Sequence, residues 1–484
     1  MIFNSLTFLL FFIVVFLIYW FPLKNTTRGQ NIFLLLASYF FYGYADWKML
    51  PLLIVATLIF YYLGKVIAGA KSERQGYWLT FAGVALGVGT LLYFKYFNFF
   101  IDSFASLFNA VGLHANLHTF NIIMPLGISF FTFRLLSYVI DIYRGKGQPT
   151  DDIVAFGTYV AFFPCILSGP IDRPAFIKQL QAKREFNYDQ AVDGCRQILW
   201  GLFKKVVIAD NCATFVDKVW GDIGGQSGST LLLAAVLYLF QIYADFSGYS
   251  DMAIGVGKLI GFKIADNFKF PLFALNIADY WRRWHITLTS WLTDYVFMPL
   301  NIKFRDWGNW GMILSIVITF VLIGMWHGAN WTFALFGLYH GLLYIPLILS
   351  GAFFKKAKLK TNKFGLPVAK DFGRMVLTFA LVVVGLILFR ADSIGQAGEF
   401  VRGLIDLNTF RASYRIFKSS SLRPTNLYIL IMLIVEWLNR DKQHGLDIKN
   451  LKSAWFRYAI YVMIAILILA DAPRDNVQFL YFQF

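Results

Sequence analysis

An all-α, polytopic transmembrane bundle is the fold class this sequence predicts, with about 11–12 spans plus re-entrant and amphipathic helices. Three observations predict it. Hydrophobic residues make up 58% of the 484 and charged residues only 15%. Continuous apolar runs of roughly 17–25 residues recur, the length that crosses a bilayer as a helix, without the alternation of barrel strands. The formal net charge of +16 is carried mainly by short loops between those runs, the pattern of cytoplasmic loops in membrane proteins. The basic surplus is thereby accounted for by topology. Nucleic acid is not expected as a partner; membrane lipid is.

The first run, residues 6–21, reads as a retained helix, because no basic segment or small-residue cleavage site marks it as a signal peptide. Lys24 and Arg28 follow and place the next loop inside. Residues 31–45 and 49–66 form a hairpin whose tip, Tyr44-Ala45-Asp46-Trp47, carries interfacial aromatics. Lys65, Lys71 and Arg74 return the chain to the cytoplasm. A span over 77–100 leads to an outside loop at 101–121 without Lys or Arg. His114 and His118 sit there at i, i+4, a spacing able to put two ligands on one helix face, but no Cys, Asp or Glu is organised around them. The span 122–143 ends in Arg144-Gly145-Lys146.

Residues 153–169 are apolar but broken by Pro164, Gly169 and Pro170, and both flanks read as cytoplasmic. Such a run enters and leaves on one side, which requires irregular backbone buried in protein or lining a cavity. Residues 175–220 read as amphipathic helices interrupted by Lys204 and Lys205. The Gly/Ser-rich stretch 221–229 faces outside. The run 230–260 embeds Asp245, Ser247 and Asp251 in apolar sequence, so these side chains should face the protein interior. An interrupted segment, 286–300, precedes the helix 309–326 and its return, 331–350. The lysines from Lys355 to Lys370 are the strongest cytoplasmic marker. Spans at 372–389, 425–438 and 455–470 complete the chain. The 390–425 loop should lie outside by alternation, yet it carries Arg390, Arg402, Arg411, Arg415, Lys418 and Arg423. No internal repeat interrupts the chain, so one membrane-embedded domain over 1–484 is expected: N-terminal helices 1–150, a core 151–350 and C-terminal helices 351–484.

Cys165, Cys195 and Cys212 include no CxxC pair, and no histidine lies at ligand spacing from them. Neither a disulfide framework nor a metal site is expected. Walker, dinucleotide and zinc-helix motifs are also missing, and Ser247 and Ser250 lack a nucleophile elbow.

The chemistry concentrates on histidines. His327 ends the apolar helix 309–326, about 24 Å from its cytoplasmic end. His285 follows Arg282 and Arg283, and His340 lies on the return helix. A histidine buried in apolar surroundings stays neutral and can act as a general base toward a hydroxyl; it can equally be a core residue satisfied by a carbonyl. Arg282, Arg283 and Lys258 suit a phosphate-bearing ligand from the cytoplasm, or simple interfacial anchoring. Asp245 and Asp251 suit orientation of a histidine, or helix-to-helix hydrogen bonding. On these residues alone an enzyme and a transporter both fit.

Four stretches carry a resemblance: Tyr243–Gly255 (YADFSGYSDMAIG), Asn267–Pro271 (NFKFP), Asp279–Ser290 (DYWRRWHITLTS) and Gly324–Asn330 (GMWHGAN). They resemble the membrane-bound O-acyltransferases, in the bacterial branch typified by the membrane subunit of alginate O-acetylation. Ser38–Trp47, Phe389-Arg390-Ala391-Asp392 and Tyr481-Phe482-Gln483-Phe484 resemble that branch too. The resemblance spans essentially the whole chain.

It implies a helical bundle around a tunnel in the bacterial inner membrane, and acyl transfer from a cytoplasmic thioester such as acetyl-CoA, with no bound cofactor or metal. The family's catalytic histidine maps onto His327 and its second functional histidine onto His285. Trp326, flanked by Gly324 and Gly328, would shape the narrow point. Asp245, Ser247, Asp251, Asn267, Trp281, Trp284 and Asn330 would line the path or orient groups in it, and Arg282, Arg283 and Lys258 would meet donor phosphates. The implied acceptor is a hydroxyl of an exported polysaccharide or of an SGNH-type partner, as in exopolysaccharide or alginate biosynthesis. D-alanyl transfer to teichoic acid through a carrier protein is the nearest alternative, and a polysaccharide or solute transporter the alternative from another class.

Overall fold

The computed structural model describes residues 1–112, 119–120, 122–406, 422–471 and 479–480. His114, His118, Arg411, Arg415, Lys418 and the Tyr481–Phe484 ending lie outside the described residues. The regular elements are helical, and the only bridge among the described residues joins Thr361 to Pro367.

Among the described residues, seven stretches are long and apolar enough to cross a membrane: Thr27–Ala68, Glu73–Ala110, Gly228–Leu259, Asn309–His327, Trp331–Leu349, Ala369–Arg390 and Ala454–Asp471. The chain is a multi-pass membrane protein. The sequence expectation of about 11–12 spans also counts shorter apolar helices, such as Leu6–Trp20 and Pro424–Leu438. It counts Thr27–Ala68 twice as well, since 42 residues are too many for one crossing, and the 3-10 turn Trp47–Met49 divides them.

The chain divides into two compact units, Met1–Gly194 with Val256–Ala265 and Cys195–Gly255 with Asp266–Phe484. In the first, the helices are α1 (Leu6–Trp20), α2 (Thr27–Asp46), α3 (Leu50–Ala68), α4 (Glu73–Leu91), α5 (Phe97–Ala110), α6 (Ile128–Tyr143), α7 (Ile153–Ala161) and α8 (Phe176–Gln181). Helix α9 (Tyr188–Leu202) runs across the unit boundary. A π-turn, Leu92–Tyr96, carries the α4 helix on into α5, so residues 101–110 are helical where an outside loop is expected. Phe100, Phe104, Leu107 and Val111 explain this: spaced as one helical stripe, they form an exposed apolar face.

The broken run after α7 is buried irregular backbone, with Phe163, Cys165, Ile166 and Ser168 fully inside. Arg134 on α6 explains how that is tolerated. Its guanidinium donates to the carbonyls of Tyr159 (3.2 Å), Val160 (3.0 Å) and Cys165 (3.0 Å), groups that would otherwise be unpaired in an apolar interior. Arg184, which follows α8, is 6% exposed. It folds inward onto Asn31 Oδ1 (2.8 Å) and the Leu180 carbonyl (2.8 Å).

The second unit holds α10 (Asp210–Trp220), most of α11 (Gly228–Leu259), α12 (Ile277–Trp281), α13 (Ile286–Leu292), α14 (Met298–Lys303), α15 (Asn309–His327), α16 (Trp331–Leu342), α17 (Ile345–Leu349), α18 (Ala369–Arg390), α19 (Ile394–Ile405), α20 (Leu422–Leu438) and α21 (Ala454–Asp471). α15 packs along α16, and α16 along α18. Glycine makes the first contact possible. A Cβ on Gly324 would stand 2.0 Å from the Phe333 carbonyl oxygen, and one on Gly337 would stand 2.1 Å from that of Phe320. Small residues let two membrane helices approach to backbone contact, and this approach fixes where the end of α15 lies.

Candidate active site

His327 is the last residue of α15 and is 3% exposed. The chain leaves the helix there through extended Gly328. Asn330 then caps α16: its Oδ1 accepts from Thr332 N (3.0 Å), and its Nδ2 donates to the Asp392 carbonyl (2.8 Å). The GMWHGAN stretch is therefore a helix end, a turn and a helix start, with Asn330 holding the turn.

His285 reaches the same neighbourhood from a different element. It precedes α13 with φ 45° and ψ 51°, a left-handed conformation that is strained for any side-chain-bearing residue. Such strain persists only where surrounding structure over-determines it, and it clusters at functional sites. Here two backbone bonds hold it: Ile286 N donates to the Asn267 carbonyl and Lys269 N to the Arg283 carbonyl, each at 2.9 Å.

Asn267 also orients the imidazole. Its Oδ1 accepts from Thr287 N (3.3 Å) and Thr287 Oγ1 (2.8 Å), and it lies 3.1 Å from His285 Nδ1. The backbone N–H identifies that amide atom as the oxygen, so His285 Nδ1 carries the hydrogen and Nε2 the lone pair. Asn267 Nδ2 donates to Ser250 Oγ at 3.2 Å, tying the site to α11. His285 lies outside the seven apolar stretches. Burial, and then the neighbouring His327, push its imidazole well below the ordinary histidine pKa, so it is neutral.

The Trp326 indole joins the two histidines. Its ring centroid is 5.6 Å from that of His285 and 4.9 Å from that of His327. Phe246 covers the other side of His285 at 4.6 Å, and Phe389 packs on His327 at 4.9 Å. Sequence spacing does not supply this juxtaposition.

Two cavities lie nearby, and His327 lines the smaller. The larger, about 390 Å³, is lined by Trp281, Arg282, Ile286, Thr289 and Ser290 among others. The smaller, about 10 Å³, is lined by His327, Trp281, Trp284, Phe336, His340 and Phe389 among others. Trp281 belongs to both walls. Its Nε1 donates to His340 Nδ1 at 3.3 Å, which fixes the indole.

The remaining residues singled out in the sequence have partners of their own. Arg282 is exposed at the larger cavity and donates to the Phe353 carbonyl (3.0 Å). Arg283 pairs with Asp279 (3.0 Å). Lys258 pairs with Asp193 inside the first unit (2.5 Å). Asp245, Ser247 and Asp251 engage lysines on a π-helical turn, Phe203–Ala209. Lys205 Nζ lies 2.7 Å from both Asp245 and Asp210; Lys204 Nζ lies 2.6 Å from Asp251 and donates to Ser247 Oγ at 2.9 Å. Burial opposes the Lys205 charge, but Asp245 and Asp210 raise its pKa above the usual lysine value. Burial pushes Asp210 up to about 7, against the lowering effect of Lys205. The sequence signals for this network are the pair of lysines interrupting an apolar pattern and the polar residues embedded in the 230–260 run. Phe336 and Phe389 are not among the residues the sequence singles out, although Phe389 begins the FRAD stretch; His340 is, as the third candidate histidine. Among the described residues, no group of three His, Cys, Asp or Glu is placed to hold a metal ion.

Residues 39–388 match the membrane-bound O-acyltransferase family. The chain is 32% identical to a probable alginate O-acetylase of Pseudomonas putida, over 100% of both proteins. It is 29% identical to a peptidoglycan O-acetyltransferase of Helicobacter pylori, over 100% of this chain and 98% of that one. To a teichoic acid D-alanyltransferase of Bacillus subtilis it is 31% identical, over 56% of this chain and 69% of the relative.

Proposed function

Because this chain belongs to the membrane-bound O-acyltransferase family and is an acyltransferase, we propose that it moves an acetyl group from cytoplasmic acetyl-CoA, across the bacterial inner membrane, to a hydroxyl of an exported polysaccharide or of an SGNH-type partner protein. The observation that carries this reading is the meeting of two buried histidines on one indole, beside cavities that share the wall Trp281.

His327 is the general base. A neutral imidazole takes the acceptor's hydroxyl proton as the hydroxyl oxygen attacks the thioester carbonyl. The carbon–sulfur bond then breaks, the proton passes from His327 to the leaving sulfur, and an ester and a free thiol result. His285, held neutral and oriented by Asn267, presents its Nε2 lone pair toward this chemistry. Trp326 forms the narrow point between the imidazoles. The larger cavity suits the donor arm, with Arg282 toward the phosphates. Asp245, Ser247 and Asp251 support the site by bracing α11 against the lysine turn.

The acetyl and glycan parts draw support from the P. putida and H. pylori relatives, which match the chain end to end. The D-alanyl reading draws on a relative matching 56% of the chain. The test supplies labelled acetyl-CoA to inverted membrane vesicles. Label should enter a glycan or a partner protein, and His327→Ala should lower the rate by about 10²–10⁴-fold, the usual worth of a general base, while glycan export continues. Export that stops while acetyl content per exported glycan is unchanged would indicate a transporter. Label entering no product would exclude the acetyl donor.

A further inference from the structure

We propose that Phe336 and Phe389 set the length of the acyl group and hold it to two carbons. The proposal rests on His327 acting at the acyl carbonyl. The space beside His327 is the small cavity, about 10 Å³, which admits one water-sized group. A methyl is of that size. An acetyl carbonyl presented to His327 can place its methyl there; each further methylene would need the packed walls to move.

The walls leave little room to yield. Phe389 lies 4.9 Å from His327 and 5.1 Å from both Phe336 and Phe333, centroid to centroid. Phe336 lies 4.6 Å from His340, whose Nδ1 accepts the Trp281 N–H. His340 is fully buried and is itself backed by α18, since a Cβ on Gly385 would stand 2.6 Å from its Nε2. Close-packed interiors of this kind transmit strain rather than absorb volume. The large cavity beyond Trp281 has space for the rest of the donor, and His327, Phe336 and Phe389 are not among its lining residues.

A pocket matched to one methyl rejects each extra methylene by about 10–200-fold. The experiment measures transfer from labelled acetyl-, propionyl- and butyryl-CoA in vesicles carrying the full chain. The wild type should prefer acetyl over butyryl, which is two methylenes longer, by at least about 100-fold. Phe389→Leu and Phe336→Leu, with the Ala variants beside them, should lower that ratio by about 10-fold, with butyryl transfer rising in absolute rate. The Leu variants keep most of the packing and guard against simple misfolding. A wild type that transfers butyryl as well as acetyl overturns the proposal, as do Leu variants that transfer acetyl with the wild-type ratio. In both cases acyl transfer persists and the acyltransferase reading stands. Transfer from none of the three donors in the wild type instead removes that donor reading, and this inference with it.

Discussion

Asn267 shows how much one side chain decides at the residue scale. Its carbonyl oxygen serves Thr287 N–H, Thr287 O–H and His285 Nδ1–H. Asn267→Ala strands buried donors, each costing about 1–3 kcal/mol, so thermal unfolding in detergent should fall measurably. With His285 no longer held in one tautomer, kcat should drop more than KM changes in steady-state kinetics. The His285 pKa has a consequence of its own. It is lowered from 6.5 by burial first and His327 second, so below about pH 6.5 the unfolded chain binds a proton the folded chain does not. Stability should therefore decline as pH falls below 6.5 and be level in this respect above it. A urea titration across pH 5–8 on wild type and His285→Gln should show that limb shrinking in the variant; identical limbs would assign it to another group.

At the element scale, the α15–α16 contact and the lysine turn control the geometry. Gly324→Ala drives a methyl into the Phe333 carbonyl, and Gly337→Ala drives one into that of Phe320. Overpacking of this kind costs about 1–3 kcal/mol. Because His327 ends α15, activity should fall further than the melting temperature alone accounts for. The π-turn poses a different problem. Lys205 is enclosed by Asp245 and Asp210, and removing one partner of a buried pair costs about 3–5 kcal/mol. Lys205→Met should destabilise by that order, and adding Asp245→Asn should recover part of it. Strictly additive losses in this double-mutant cycle would show that the pair is not coupled. The Leu480 amide also donates to Asp245 (3.0 Å), so the far end of the chain is tied to the same carboxylate.

For the whole molecule, orientation is the open physical quantity with the plainest test. The lysines from Lys355 to Lys370 are expected inside and the 221–229 stretch outside. With the exposed Cys195 replaced, a cysteine at Lys358 should react with an impermeant thiol reagent only in inverted vesicles. One at Gln226 should react only in intact cells. The reverse pattern would invert the topology. Arg184 and Lys205 show why counting basic residues needs care. Both are buried in polar networks and mark no surface.

What the sequence determined by itself is local in origin. Apolar length, loop charge and helix-breaking residues act over windows of about twenty residues, so the helical membrane class and most spans were legible. The motifs at Asn267, His285 and His327 were legible for the same reason, each being short and contiguous. Tertiary structure decided which groups meet. Asp245 and Asp251 suited either a histidine or a helix-to-helix hydrogen bond, and packing delivered Lys205 and Lys204 to them. Trp281 became the wall between two cavities because His340, on α16, accepts its N–H. A buried charge or donor takes whatever partner the packed helices deliver to hydrogen-bonding distance, and that delivery depends on contacts between elements far apart in the chain, which no local pattern encodes.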